Sequence, residues 1–266
     1  MSNHNIAFDK VLIFDLEGPF AHFRKYYTNS SSLTYLFPPR TVIIGLIAGL
    51  LGLPSERHTR KINEIYYEKF DKNKCVVAVS LRTRIRRMMQ TVNYIKTTSL
   101  SEIDGSAGGT QIPLEILVSE KDKDAKEITY RVYFYHMDEG IYTEFKDRLK
   151  QQMFVYPPYM GLTEFLASIK YIGEGKVSKN KENQVNIDTA CKLKEVELDF
   201  SNNDLQYITE KMPTGFLNDR KPLPSEEYVL EVKGKNMIVK LNDTSNCSSI
   251  IYSDEGFELT DNVMFI

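Results

Sequence analysis

The stretch Phe14 to Leu53 constrains this chain more than any other. Val11, Leu12, Ile13, Phe14 and Leu16 form a short apolar run stopped by Gly18-Pro19, which predicts a strand over about 8–16. A polar, aromatic and basic segment follows: His22, Phe23, Arg24, Lys25, Tyr26, Tyr27. Pro38-Pro39 then precede an apolar helix over about 41–53, since proline in a first helical turn lacks only an N–H that would be orphaned there anyway. Gly45 and Gly49 share one face of that helix, which predicts tight packing of the helix on a sheet. No Asp or Glu occurs between Glu17 and Glu56, so Arg24, Lys25 and Arg40 lack a local counter-charge. Rings and cations in one segment suit phosphates and unstacked bases.

Further along, Ile62, Ile65, Tyr66, Lys69 and Phe70 fall at helical spacing, and Cys75 to Leu81 reads as a buried strand. The strand runs into RTRIRRMMQTVNYIKTTSL, where alternation would line up Arg82, Arg84 and Arg86 on one face. With the glycine-rich tip 104–109 and a returning strand 111–119, residues 83–113 read as a long basic two-limbed projection. Residues 120–127 read as a charged turn, 128–136 as a strand, 141–149 as a helix with Ile141, Phe145 and Leu149 on one face, and 165–172 as a strand. Without the projection the order is strand, helix, strand, strand, helix, strand. The expected fold class is therefore α+β: a ferredoxin-like domain over 1–186, of the RNA-recognition type, with an inserted β-hairpin thumb over about 83–113. The polar, lysine-rich segment 173–186 reads as a linker or a surface loop. Short runs at 190–200, 228–232, 237–241 and 257–265 predict a small β-rich C-terminal lobe over 187–266.

Net charge is −2, yet the distribution says more than the sum. The span between Asp71 and Glu102 is again acid-free and holds Lys72, Lys74, Arg82, Arg84, Arg86, Arg87 and Lys96. Together the two acid-free windows carry ten positive charges, leaving −12 on the rest. That segregation predicts a positive face, for which the bland alternative is a solvated charge run. The N-terminal MSNHNIAFDK is polar, so no signal peptide is expected. The longest apolar run is too short for a bilayer, which takes ~20 residues. Three scattered cysteines fit a reducing cytoplasm, so a cytoplasmic protein without membrane contact is expected. Four histidines (His4, His22, His58, His136) show no ligand spacing, so no metal and no cofactor are expected. A metal-free ribonuclease needs a base for a 2′-hydroxyl and an acid or cation at the leaving oxygen, and His22, Tyr26, Tyr27 and Lys96 are the right residue types. Equally, His22 between Ala21 and Phe23 reads as a packed histidine, and Tyr26 and Tyr27 as stacking rings.

The pattern Gly18-Pro19-Phe20-Ala21-His22-Phe23-Arg24, then Phe37-Pro38-Pro39-Arg40-Thr41, Gly45 and Gly49-Leu50-Leu51-Gly52 resembles the fifth family of CRISPR-associated (Cas) proteins, of the RAMP superfamily. Tyr156-Pro157-Pro158-Tyr159-Met160-Gly161 matches more loosely, and the I-B subtype is nearest. The resemblance implies a type I Cascade subunit that caps the 5′ handle of CRISPR RNA. It would contact the large subunit (eighth Cas family) and the backbone subunits (seventh), and target DNA only indirectly. RNA-processing members of the family are associated with a tyrosine and a Lys-His pair. This sequence has no Lys-His dipeptide, so no catalytic residue is assigned, and a metal-independent endoribonuclease is the alternative. A third reading is a protein-only adaptor whose projection docks an acidic partner. On the RNA reading, Arg24, Lys25, Tyr26, Tyr27 and Arg40 would hold phosphates and bases. Arg82, Arg84, Arg86, Arg87 and Lys96 would grip the backbone, and Met88, Met89 and Tyr94 would wedge beside a displaced base.

Overall fold

The computed structural model describes residues 6–28, 31–96, 99–120, 127–217 and 221–266. His4 and most of the expected charged turn at 120–127 lie outside them. The main sheet has six antiparallel strands, and four of them come from the strand and helix order read in the sequence. These are β1 (Lys10–Gly18), β2 (Cys75–Leu81), and, beyond the hairpin strands β3 (Ile85–Ile95) and β4 (Gly109–Ser119), β5 (Ile128–His136) and β6 (Ser168–Lys179). Across the sheet they stand in the order β6-β1-β5-β2. Helix α1 (Arg40–Leu51) connects β1 to β2, and α2 (Glu139–Gln151) connects β5 to β6.

Alternation in β1 explains the layering. Leu12, Phe14 and Leu16 pack toward the helices with Phe134, Phe145 and Leu149, while Val11 and Ile13 join Val76, Ala78 and Tyr133 on the opposite face. Both faces are thus largely apolar, which is why Cys75–Leu81 is buried at every position and is apolar throughout except for Ser80. Phe14 and Phe145 meet edge to face at 5.5 Å. Asp138 caps α2, accepting from the N–H groups of Gly140 and Ile141, an interaction worth about 1 kcal/mol.

Beyond β6 the structure corrects several expectations. Residues 173–186 are not a linker: β6 continues to Lys179, and β7 (Gln184–Ile187) follows. The C-terminal half then adds β8 (Cys191–Lys192), β9 (Val196–Leu198), β10 (Tyr207–Pro213), β11 (Ser225–Glu231), β12 (Met237–Leu241), β13 (Cys247–Asp254) and β14 (Phe257–Met264). Two three-stranded sheets, β7-β12-β9 and β8-β11-β10, account for the small lobe. The β13–β14 hairpin instead pairs with β6 and extends the main sheet, so the expected boundary at 186/187 is crossed. The sheet curls until Ile266 donates to the Val77 carbonyl at 2.8 Å and Ala190 to that of Val79 at 2.9 Å, which covers the edge of β2.

Two further expectations fail for local reasons. The helical spacing over 62–70 yields only a 3₁₀ turn (Ile62–Glu64) and a one-turn helix (Tyr66–Lys69), because Ile65 is extended. The glycines of α1 do not pack on the sheet. A side-chain carbon at Gly49 would meet nothing within 4 Å, and one at Gly45 only Tyr66 Oη at 3.9 Å. That face instead lines an apolar groove of about 560 Å³ with Tyr156, Tyr159 and Leu166.

Candidate nucleic-acid interface

The aromatic segment is pinned to the root of the hairpin. Phe20 and Ala21 pair with Val118 and Leu117 of β4, and Phe23-Arg24 pair with Thr34-Tyr35. Ser32 donates its N–H to the Pro113 carbonyl at 2.8 Å and accepts that of Glu115 at 2.9 Å. His22, only 1% exposed, donates its N–H to the Met160 carbonyl at 3.0 Å. Its Nδ1 lies 2.7 Å from the Glu115 carbonyl oxygen, which only accepts, so Nδ1 carries the proton. The Ser32 hydroxyl, at 2.9 Å, then donates to Nε2. Burial holds the His22 pKa below its usual range, and both ring nitrogens are engaged in the fold.

The expected phosphate-binding cations separate into two groups. Arg24 is exposed, with Nη2 donating to the Thr28 carbonyl at 3.3 Å. Arg86 and Lys96 are exposed on the hairpin. The others are engaged with acids or carbonyls distant in sequence. Lys25 is turned inward, Nζ 2.5 Å from Glu210 of β10. Arg40 is buried, Nη2 donating to the carbonyls of Phe70 and Cys75 at 3.0 and 3.2 Å, which corrects its expected place at a phosphate. Burial in turn pushes the adjacent Cys75 thiol up to about 11, against the pull of Arg40.

Arg82, Arg84 and Arg86 do not share a strand face, because residues 82–84 lie between β2 and β3. Arg82 turns in to Asp261 and Tyr133, and Asp188 stands 3.9 Å away. Arg84 pairs with Glu120 at 2.5 Å. Arg87 reaches Glu210 at 2.9 Å and Glu115 at 3.7 Å. A window free of acids in sequence is therefore not free of acids in space.

Tyr26 and Tyr27 are about half exposed and stand edge to face, ring centres 5.2 Å apart. The Ser225 hydroxyl reaches Tyr26 Oη at 3.2 Å from the first residue of β11. On the hairpin, β3 and β4 pair without a break from Ile85↔Ser119 to Ile95↔Gly109. Met88 is packed against the cluster of Leu114, Ile116 and Val118 with Leu162 and Phe165, whereas Met89 and Tyr94 are exposed. Of the three expected wedge residues, these two reach solvent. Strand alternation puts Arg86 and Tyr94 on one face of β3 and Arg87 and Met89 on the other.

The loop and the hairpin meet at a cavity of about 470 Å³. Arg24, Ser32 and Tyr94 stand on its walls, and Phe23, Val42, Ile112, Leu114 and Leu162 make its apolar surface. Its size suits a single nucleotide-sized group, and its chemistry combines one exposed cation, hydroxyls and a ring. Gly161, φ +91°, closes one side so tightly that a side-chain carbon there would fall 1.8 Å from the His22 carbonyl oxygen. Sequence reasoning missed Glu115, Gly161 and Glu210. Gly161 sat within the quoted Tyr156–Gly161 segment; nothing in the sequence pointed to the two glutamates. Among the described residues no group of three or more His, Cys, Asp or Glu is placed to hold a metal ion, and no helix is long and apolar enough to cross a membrane.

An α+β chain with a curled antiparallel sheet, a long protruding hairpin and a cation-and-ring cavity at its root is the class that the fold and site define. A family model described as CRISPR-associated protein (Cas_Cas5) matches residues 11–222, and the chain belongs to that family. Similar solved structures include a CRISPR RNA-guided surveillance complex (TM-score 0.44, 10% identity, covering 86% of this chain and 91% of that one). A type III-B Cmr-beta bound to cognate target RNA and AMPPnP gives 0.41, with 12% identity over 87% and 86%. A Cas protein crystal structure gives 0.40, with 11% identity over 84% and 95%. No curated protein matches the chain.

Proposed function

We propose that this chain is a non-catalytic subunit of a type I Cascade surveillance complex and caps the 5′ handle of CRISPR RNA. Family membership supports a place in CRISPR defence. The strand order β6-β1-β5-β2, with a helix after the first and third strands in sequence, supports a ferredoxin-like core of the RAMP type carrying the hairpin as its thumb. The observation that carries the RNA reading is the convergence of Arg24 and Tyr94, seventy residues apart in sequence, on one cavity. Arg24 supplies charge for a phosphate, Tyr94 a face for a base, and Tyr26 and Tyr27 a second stacking platform. Arg86 and Lys96 continue the cationic path along the hairpin. The large subunit, the backbone subunits and, through the complex, target DNA are the partners on this reading.

The endoribonuclease alternative is less favoured by the geometry. A His22 that already donates from Nδ1 and accepts at Nε2 has no free nitrogen to take a substrate proton. The test is binding of an RNA carrying the repeat-derived 5′ handle by Arg24→Ala and Tyr94→Ala. Each is expected to weaken binding about tenfold, in the range of one lost stacking or charged contact. Affinity unchanged in both would overturn the proposal.

A further inference from the structure

Glu210 carries one carboxylate to a cation on each arm of the proposed cradle; Glu115, on the hairpin itself, also stands 3.7 Å from Arg87 and accepts the Thr34 N–H at 2.9 Å. Glu210 sits on β10, in the C-terminal half, and is 4% exposed. One oxygen takes Lys25 Nζ at 2.5 Å, from the segment that also carries Arg24, Tyr26 and Tyr27. The other takes Arg87 Nη2 at 2.9 Å, from the strand that carries Arg86 and Tyr94. The pairing of β10 with β11 holds the glutamate in place, Glu210 opposite Tyr228. The same β11 begins at Ser225, whose hydroxyl meets Tyr26.

We propose that Glu210 is a positioning residue for RNA recognition: it fixes the angle between the aromatic loop and the thumb, so that ring and cation face the same nucleotide. This rests on the RNA-capping reading above. It also gives the C-terminal sheet a part in the site that its own exposed residues do not show. The mechanism is geometric. Lys25 and Arg87 are on opposite arms, and a carboxylate whose two oxygens are taken by two cations cannot turn without releasing one of them.

The charge change makes the proposal separable from plain electrostatics. Glu210→Gln removes a negative charge next to two cations, so a simple attraction model makes RNA binding tighter for every sequence. The positioning model makes handle RNA bind about tenfold more weakly, with a scrambled RNA of equal length and composition unchanged or tighter. The selectivity ratio is therefore the readout, and a role in folding alone would leave it unmoved in the folded protein. Because Glu210→Gln removes the carboxylate nearest to both cations and leaves Arg87 only Glu115 at 3.7 Å, Lys25→Met/Glu210→Gln provides a second, charge-balanced variant. Both variants are measured after circular dichroism shows native folding, alongside Arg24→Ala and Tyr94→Ala. The expected result is loss of selectivity in whichever Glu210 variant folds, and in both if both fold. Wild-type selectivity in a folded Glu210 variant overturns the inference even when Arg24→Ala and Tyr94→Ala weaken binding. If those two bind handle RNA like wild type, it is the capping reading that fails.

Discussion

Gly161→Ala should be the most damaging single-methyl change in this chain. A side-chain carbon there would stand 1.8 Å from the His22 carbonyl oxygen and 2.7 Å from its carbon, where ordinary contacts begin near 3 Å. The two segments would have to part by more than 1 Å, which breaks the His22 N–H to Met160 carbonyl bond of 3.0 Å. Losing that buried bond costs about 1 kcal/mol. A φ of +91° in a residue with a side chain adds about 1–2 kcal/mol, and loosened packing around His22 adds more. The total is about 3 kcal/mol, or a fall in Tm of about 6 °C for a chain of this size. Gly105→Ala is the matched control: φ is +84°, but nothing lies within 4 Å, so only the backbone term of about 1 kcal/mol applies. Urea unfolding followed by circular dichroism measures both. If Gly161→Ala costs no more than Gly105→Ala, the described closeness of the two segments is wrong.

Arg40→Met should destabilise the fold by about 2–4 kcal/mol in urea while the salt dependence of RNA binding stays at the wild-type slope, because its guanidinium faces Phe70 and Cys75 rather than solvent. A lowered slope would restore it as a phosphate contact. The Asp188 carboxyl is pushed up to about 7, first by burial and then by the neighbouring Asp261 carboxylate. The folded chain thus keeps a proton between about pH 4 and 7 that the unfolded chain has released, so this group's contribution to stability falls as pH rises through that window. Asp188→Asn should flatten the curve, gaining on wild type as pH rises from 5 to 8; parallel curves in thermal unfolding would refute this.

Legibility in the sequence followed burial. Cys75–Leu81 reads with its observed limits because both of its faces are buried, which leaves a mostly apolar run with sharp ends, and Ile128–His136 does so through its alternation. β6 runs on into the segment that reads as a linker or surface loop, since residues 173–179 hold two glycines and two lysines, and exposed positions blur the alternation. Tyr207–Pro213 is hidden in the sequence for a different reason: Glu210 is buried yet charged, and breaks the apolar pattern from inside. At the site, residue types were legible and partners were not. Lys25 and Glu210 are 185 positions apart, a distance over which no local window shows that a cation is already neutralised. Arg24, Tyr26, Tyr27, Arg86, Met89, Tyr94 and Lys96 are exposed as a binding surface requires; Lys25, Arg40 and Arg82 are bound into the fold.

The most direct test of the capping account is incubation of the purified protein with labelled repeat RNA and with mature 5′-handle RNA, in EDTA, across a salt series. The account predicts that handle RNA is bound, that affinity falls steeply with salt as phosphate contacts release counterions, and that neither RNA is cut. Specific cleavage of the repeat RNA in EDTA, lost on His22→Ala or Tyr26→Phe, would contradict it and make the chain a processing enzyme.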